Sequence, residues 1–198
     1  MVEWRRRAVH ASGTAFPAVY LLGLTDYREF QLLLLVTVAV VLALEFLRLV
    51  VGVDHRVYEE LTREYEKENV AGYALFFVGA TAAAVVFRPA VAVPAILMLS
   101  IGDPISGILG SAEAGTAKEL GVLGVMFLVC FAIALPFAAA VAGRPPTTLA
   151  GVAVAASGAL GATLADGVKP VIAGYVVDDN LSIPPAASLA MWVVLRLV

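Results

Sequence analysis

The segment Ser100-Ile101-Gly102-Asp103-Pro104 sets a carboxylate inside one of the most apolar parts of the chain, with no other charge between positions 90 and 110. In lipid, a charged side chain near a helix centre costs roughly 2.5–3.5 kcal/mol on insertion scales. That cost favours a task for Asp103, and a carboxylate in such a place can ligate a hard divalent cation of the kind that accompanies phosphates. Gly102 and Gly107 let backbone or ligand approach, and Pro104 disturbs the helix and frees carbonyls. Tight helix packing through Ser106-x-x-x-Gly110 would explain the small residues but not the acid. A second acidic group, Asp178-Asp179-Asn180, precedes the last apolar run. It offers hard oxygen donors ahead of a helix expected to start near Ser182 with Pro184 and Pro185 in its first turn. The competing reading is a capped turn.

Basic side chains stand near these acids in the pattern. Lys118 and Lys169 each follow a small-residue run, and lysine binds phosphate as a point charge; membrane anchoring explains them as well. Arg5, Arg6 and Arg7, followed by His10, can reach a phosphate or simply set topology. His10 can act as a base or hydrogen-bond a helix end. Glu45 and Arg48 lie three apart on one helical face, where an ion pair lowers the cost of both. The pair is either purely structural or the floor of a site, and Asp166 faces the same choice. The chain has no P-loop, no GxSxG elbow and no HExxH. Its only cysteine, Cys130, sits in an apolar run, which excludes disulfide frameworks and zinc-thiolate sites.

The elements that must position these residues are helices in a bilayer. The 198 residues are 61% apolar with a mean hydropathy of +0.93, against about 45–50% apolar for soluble domains. Seven apolar runs, 11–24, 30–53, 70–87, 89–110, 119–142, 148–168 and 181–198, approach the length of about 20 residues that a span requires. None alternates in polarity as barrel strands do. The expectation is a single integral membrane domain over 1–198, an all-α polytopic helix bundle with about seven transmembrane helices. The first run lacks a clean cleavage site and reads as a retained span rather than a signal peptide. With the N-terminus inside, Arg5, Arg6, Arg7, Arg56, Arg63, Lys67, Lys118 and Lys169 fall on the cytoplasmic side, and only Arg28, Arg88, Arg144 and Arg196 outside. The same count sends His10, Asp103, Asp166 and the 178–180 acids to the cytoplasmic face. Segment 54–69 carries Tyr58, Leu61 and Tyr65 at helical spacing among charges, and reads as a cytoplasmic amphipathic helix lying on the membrane. Charge is locally mixed with a net of −3, so nothing suggests nucleic acid. Asn occurs only at 69 and 180 and Gln only at 31, a scarcity that points to a thermophilic prokaryote. A homo-oligomer is compatible with the chain.

Taken in order, these pieces resemble the CTP-dependent lipid kinases: dolichol kinase, phytol kinase and the CTP-using diacylglycerol kinase. Arg6-Arg7-Ala8-Val9-His10 looks like the family's opening basic pair and histidine, and Glu45-Phe46-Leu47-Arg48 like its E-x-x-R. Arg63-Glu64-Tyr65-Glu66, followed by Gly72, is similar to its R-x-x-E stretch. Gly102-Asp103-Pro104-Ile105-Ser106-Gly107-Ile108-Leu109-Gly110 resembles its G-D-x-x-A/S-x-x-x-G. Asp179-Asn180-Leu181-Ser182-Ile183-Pro184 resembles its D-N-L-T-x-P, and Lys118 stands where the family has a lysine before an apolar span. Two departures stand out. The family commonly has K-S/T-x-E-G where this chain reads Lys118-Glu119-Leu120-Gly121, and often Glu where this chain has Asp166.

The resemblance implies a kinase that uses CTP and Mg²⁺ to phosphorylate the hydroxyl of an isoprenoid or related lipid alcohol at the cytoplasmic membrane face. Asp103, Asp179 and Asn180 would hold the metal. Arg6, Arg7, Arg63, Lys118 and Lys169 would bind phosphates, helped by Gly102 and Gly107. Asp103, Asp166 or His10 would take the alcohol's proton. A cytidylyltransferase forming a CDP-lipid shares these requirements, and a small transporter is the alternative from another class, although polar groups are scarce in the outer half.

Overall fold

The computed structural model describes residues 8, 10–53, 58, 62, 66–110, 116–142, 148–168, 170–172 and 175–198. Arg6, Arg7, Arg63 and Lys169 lie outside them, as does most of the 54–69 segment.

The chain is all-α, as expected. Helix α1 is Ala15–Leu21 and α2 is Tyr27–Phe46, the latter extended by a π-helical turn, Leu47–Val51. Helix α3 is Gly72–Val86. Helix α4, Pro89–Leu97, continues through a π-helical turn, Met98–Gly102, into α5, Asp103–Leu109. Helices α6, Leu120–Ala142, and α7, Leu149–Gly167, follow, and α8, Asp179–Leu195, closes the fold. A short antiparallel pair, Val171–Ile172 with Tyr175–Val176, precedes α8.

Among the described residues, four helices are long and apolar enough to cross a membrane: Tyr27–Val51, Pro89–Leu109, Leu120–Ala138 and Leu149–Gly167. They mark the chain as a membrane protein. Among the described residues, the expected count of about seven spans is not confirmed. Helix α3 has 15 residues and α8 has 17, or roughly 22 and 25 Å at 1.5 Å per residue, short of a 30 Å core. The first run is divided: residues 10–12 are helical, and α1 holds 7 residues. It breaks at Gly13 and Thr14, where the Thr14 hydroxyl donates to Ser100 Oγ at 3.0 Å.

Local chemistry sets the helix ends. Asp26 and Glu29 form a reciprocal capping box at the start of α2, with both bonds at 2.8 Å. Thr148 caps α7 by accepting from Gly151 N. Helix α8 starts about a turn earlier than the prolines suggested, because the Asp178 side chain caps it by accepting from Asn180 N at 3.0 Å. Pro184 and Pro185 therefore lie inside the helix, where their missing N–H groups release the carbonyls of Asn180 and Leu181. Both carbonyls press against Gly79 of α3. A Cβ there would sit 2.7 Å from Asn180 O and 2.8 Å from Leu181 O.

Helix α4 runs through the middle, with Val91, Ala92, Val93, Ala95, Ile96, Met98 and Leu99 fully buried; a helix that is apolar all round belongs inside. It separates two core groups. One holds Met126, Cys130, Val154, Ile183 and Met191 from α6, α7 and α8; the other holds Phe30, Leu34, Ala80 and Ala84 from α2 and α3. Outward faces remain apolar at Val36, Val86, Leu128 and Leu160, as lipid contact requires.

Consecutive long segments run in alternate directions, and the contacts show which ends meet. At one end the start of α2 touches the end of α3, where Tyr27 OH donates to the Ala84 and Phe87 carbonyls at 2.8 Å. At the other end lie the close of α2 and the start of α3, the close of α5 and of α7, and the starts of α6 and α8. A side chain on Gly79 forces that end apart: Gly79→Ala is expected to lower stability by about 1–3 kcal/mol. Gly121→Ala, where no atom lies within 4 Å, should leave it level or raise it by up to about 1 kcal/mol. Thermal unfolding in detergent checks both.

Candidate functional site

Three carboxylates converge at the polar end: Asp103 at the start of α5, Asp166 one residue before the end of α7, and Asp179 as the first residue of α8. One oxygen from each lies within 4.8 Å of the others. Two full negative charges at that distance repel by roughly 3 kcal/mol at an effective dielectric of about 20. The group persists because positive charge and hydrogen bonds are built in around it. Lys118 Nζ donates to Asp166 Oδ1 at 2.6 Å and to Ser106 Oγ at 3.0 Å, and Ser106 in turn donates to Asp166 Oδ2 at 2.7 Å. Backbone pairing pins Lys118: its N–H donates to Gly167 O at 3.0 Å, and Ala117 bridges Val168.

Asp103 owes its setting to Pro104. In the π-helical turn, Asp103 N–H bonds the Met98 carbonyl, five residues back. The same register would give the Leu99 carbonyl to residue 104, and proline has no N–H to offer. His10 Nε2 fills that place at 3.1 Å from Leu99 O. A carbonyl only accepts, so Nε2 carries the proton. Nδ1 then faces Asp103 Oδ2 at 3.5 Å. The break at Gly13 and Thr14 leaves His10 within reach of that carbonyl, and the edge of its ring meets Phe76.

Access differs among the three acids. The Asp103 side chain keeps 17% of its surface exposed and His10 15%, whereas Asp166 keeps none. Asp179 is also buried. The group therefore opens on the Asp103–His10 side.

The other expected residues among those described have their own partners. Asn180 donates its amide to Asp178 Oδ1 at 2.6 Å and lies against Gly72, where a Cβ would be 3.0 Å from Asn180 Nδ2 and 3.3 Å from Glu66 Oε1. Asp166 thus joins Asp103 and Asp179 in the carboxylate group, and Asn180 secures the start of α8. The open side of Gly102 meets the sulfurs of Cys130 and Met126, 3.0 and 3.1 Å from where a Cβ would stand. The π-helical turn aims it at α6, so it serves helix packing. Gly107 is half-buried in α5. Lys118, expected on phosphate, is engaged with Asp166.

Glu45 and Arg48 form the expected ion pair, at 2.7 Å, and they also clamp the chain entering α3. Arg48 donates to the carbonyls of Glu66, Lys67 and Asn69 at 3.1, 3.0 and 2.6 Å. Glu45 accepts from Ala71 N at 2.9 Å and from the Tyr73 hydroxyl. That turn presents Gly72 and Glu66 to Asn180. Nothing in the sequence marked Tyr73. Ser106 had a signal, since it stands three residues after Asp103 on one helix face.

No protein-family model, characterised protein or solved structure matches the chain. The site's own geometry therefore carries the functional reading.

Removing one partner of the clamp leaves a charge with 4–8% of its surface exposed. Glu45→Ala is expected to cost about 3–5 kcal/mol. The double variant Glu45→Leu/Arg48→Met should cost less than the sum of the single changes, and a double-mutant cycle on thermal unfolding checks it.

Proposed function

We propose that this protein is a CTP-dependent lipid kinase, which transfers the γ-phosphoryl group of CTP to the hydroxyl of a membrane isoprenoid or related lipid alcohol. The observation that carries the reading is the meeting of Asp103, Asp166 and Asp179, 63 and 13 residues apart along the chain, with their oxygens within 4.8 Å of one another at one end of a membrane helix bundle. All-oxygen carboxylate donors suit a hard divalent cation such as Mg²⁺. Such an ion, when bound, offsets the charge of the transferring phosphoryl group. The choice of CTP rests on the ordered motif resemblance; the Lys and Arg bias supports a cytoplasmic position for this end, and the scarcity of Asn and Gln supports a thermophilic prokaryotic source.

The chain's own residues divide the work. Asp103 and Asp179 would hold the cation together with Asp166. The alcohol oxygen attacks the γ-phosphorus, the bond to the β–γ bridging oxygen breaks, and CDP leaves. Both oxygens of Asp166 are engaged by Lys118 and Ser106, so it is poorly placed to receive the alcohol's proton. Asp103 and His10 Nδ1, facing each other on the open side, are the acceptors within the site. The motif resemblance assigns further phosphate contacts to Arg6, Arg7, Arg63 and Lys169. The hydroxyl reaches the site from the bilayer, and positioning with charge neutralisation provides the rate.

Purified protein in detergent, given Mg²⁺, a panel of lipid alcohols and CTP labelled at either the α or the γ phosphorus, tests the reading. The γ label should enter lipid and the α label should not. Entry of the α label identifies a cytidylyltransferase, and solute flux into liposomes without CTP turnover identifies a transporter. Asp103→Asn and Asp179→Asn should each lower turnover by about a hundredfold or more, with thermal unfolding unchanged within a few degrees.

A further inference from the structure

Asp166 is the member of the carboxylate group already committed to the protein. Its side chain is fully enclosed, Oδ1 takes Lys118 at 2.6 Å and Oδ2 takes Ser106 at 2.7 Å. A cation shared by Asp103, Asp166 and Asp179 needs an oxygen of this same carboxylate. Hard divalent ions sit about 2.0–2.6 Å from their oxygens, so the ion and Nζ would lie within roughly 5 Å of each other on a shared oxygen and within about 7 Å across the two oxygens of one carboxylate. Two positive charges on one enclosed carboxylate compete for it.

The two competitors differ in freedom. The Lys118 backbone is pinned by its bond to Gly167 O and by the Ala117–Val168 bridge. Its ammonium ends a flexible four-carbon stem and is the part that can move. We propose that Lys118 is a displaceable counter-ion, which holds the free-cation affinity of the site low and gives up Asp166 when a divalent cation arrives with phosphate. This rests on the cation reading above and adds to it an order of events. The ion that neutralises Asp166 frees the ammonium, and the triphosphate that accompanies the ion is the anion that takes it. A lysine fixed permanently on Asp166 would instead support the cation site by holding that carboxylate in place.

The two roles predict opposite signs. Mn²⁺ binding to the full-length protein in detergent, without nucleotide, is followed by the electron paramagnetic resonance of the free ion. Lys118→Gln keeps a donor near Asp166 Oδ1 and removes the charge, Lys118→Met removes both, and Lys118→Arg retains the charge. Lys118→Gln and Lys118→Met should bind Mn²⁺ about tenfold more tightly than the unaltered protein, and Lys118→Arg within about threefold of it. Folding is judged by monodispersity and thermal unfolding, and either neutral variant alone decides the sign. Unchanged or weaker Mn²⁺ binding in a folded neutral variant overturns the proposal while leaving the cation site standing. Absence of Mn²⁺ binding at millimolar free ion in every form, the neutral variants included, overturns the cation reading and the proposal with it.

Discussion

The contact between Lys118 and Asp166 is the constraint on which the polar end depends. Three acids within 4.8 Å of one another are unstable neighbours in a medium that solvates charge poorly. A lysine at 2.6 Å, fixed through its own backbone to the last residue of α7, neutralises the most enclosed of the three. The same lysine donates to Ser106 on α5. One ammonium thus joins the close of α5, the close of α7 and the strand-like entry to α6.

A second knot does the same for the other half of the bundle. Glu45 and Arg48 bind the backbone between 66 and 71 through carbonyls and an N–H, and so fix where α3 begins. Gly72 and Gly79 then bring α3 close enough to α8 to touch Asn180 and Leu181. The carbonyls at that contact are the ones that Pro184 and Pro185 release. Prolines that look like helix-start markers in the sequence thus act one and a half turns in, and the glycine opposite them accommodates the unbonded oxygens. The path from Arg48 to Asp179 consists of directly touching groups. It joins the backbone of residues 66–71 to the start of α8 by position.

Much of this was legible in the chain. The isolated charge at Asp103 marks a place where burial must be compensated, and the spacing of Glu45 and Arg48 marks a helical ion pair; both stand where pattern puts them. The all-helical class follows from long apolar runs without alternation. The rest is tertiary. That Asp166 joins the acids, with Asn180 beside them holding the helix start, depends on the register between α7 and α8. Gly102 faces α6 because a π-helical turn, which no local propensity announces, rotates it. His10 has two readings in sequence, and it takes its place because Pro104 strips of its helical partner the Leu99 carbonyl, which lies 89 positions from His10. Run length alone does not give helix length: 70–87 and 181–198 form helices of 15 and 17 residues, and 11–24 breaks at Gly13 and Thr14 to deliver His10.

The central claim is that Asp103, Asp166 and Asp179 act together on one divalent ion. Crystals grown with Mn²⁺ and measured for anomalous scattering test it directly. One strong peak is expected within coordination distance of an oxygen from each of the three carboxylates. A peak held by other residues, or none beside these three at saturating Mn²⁺, contradicts it.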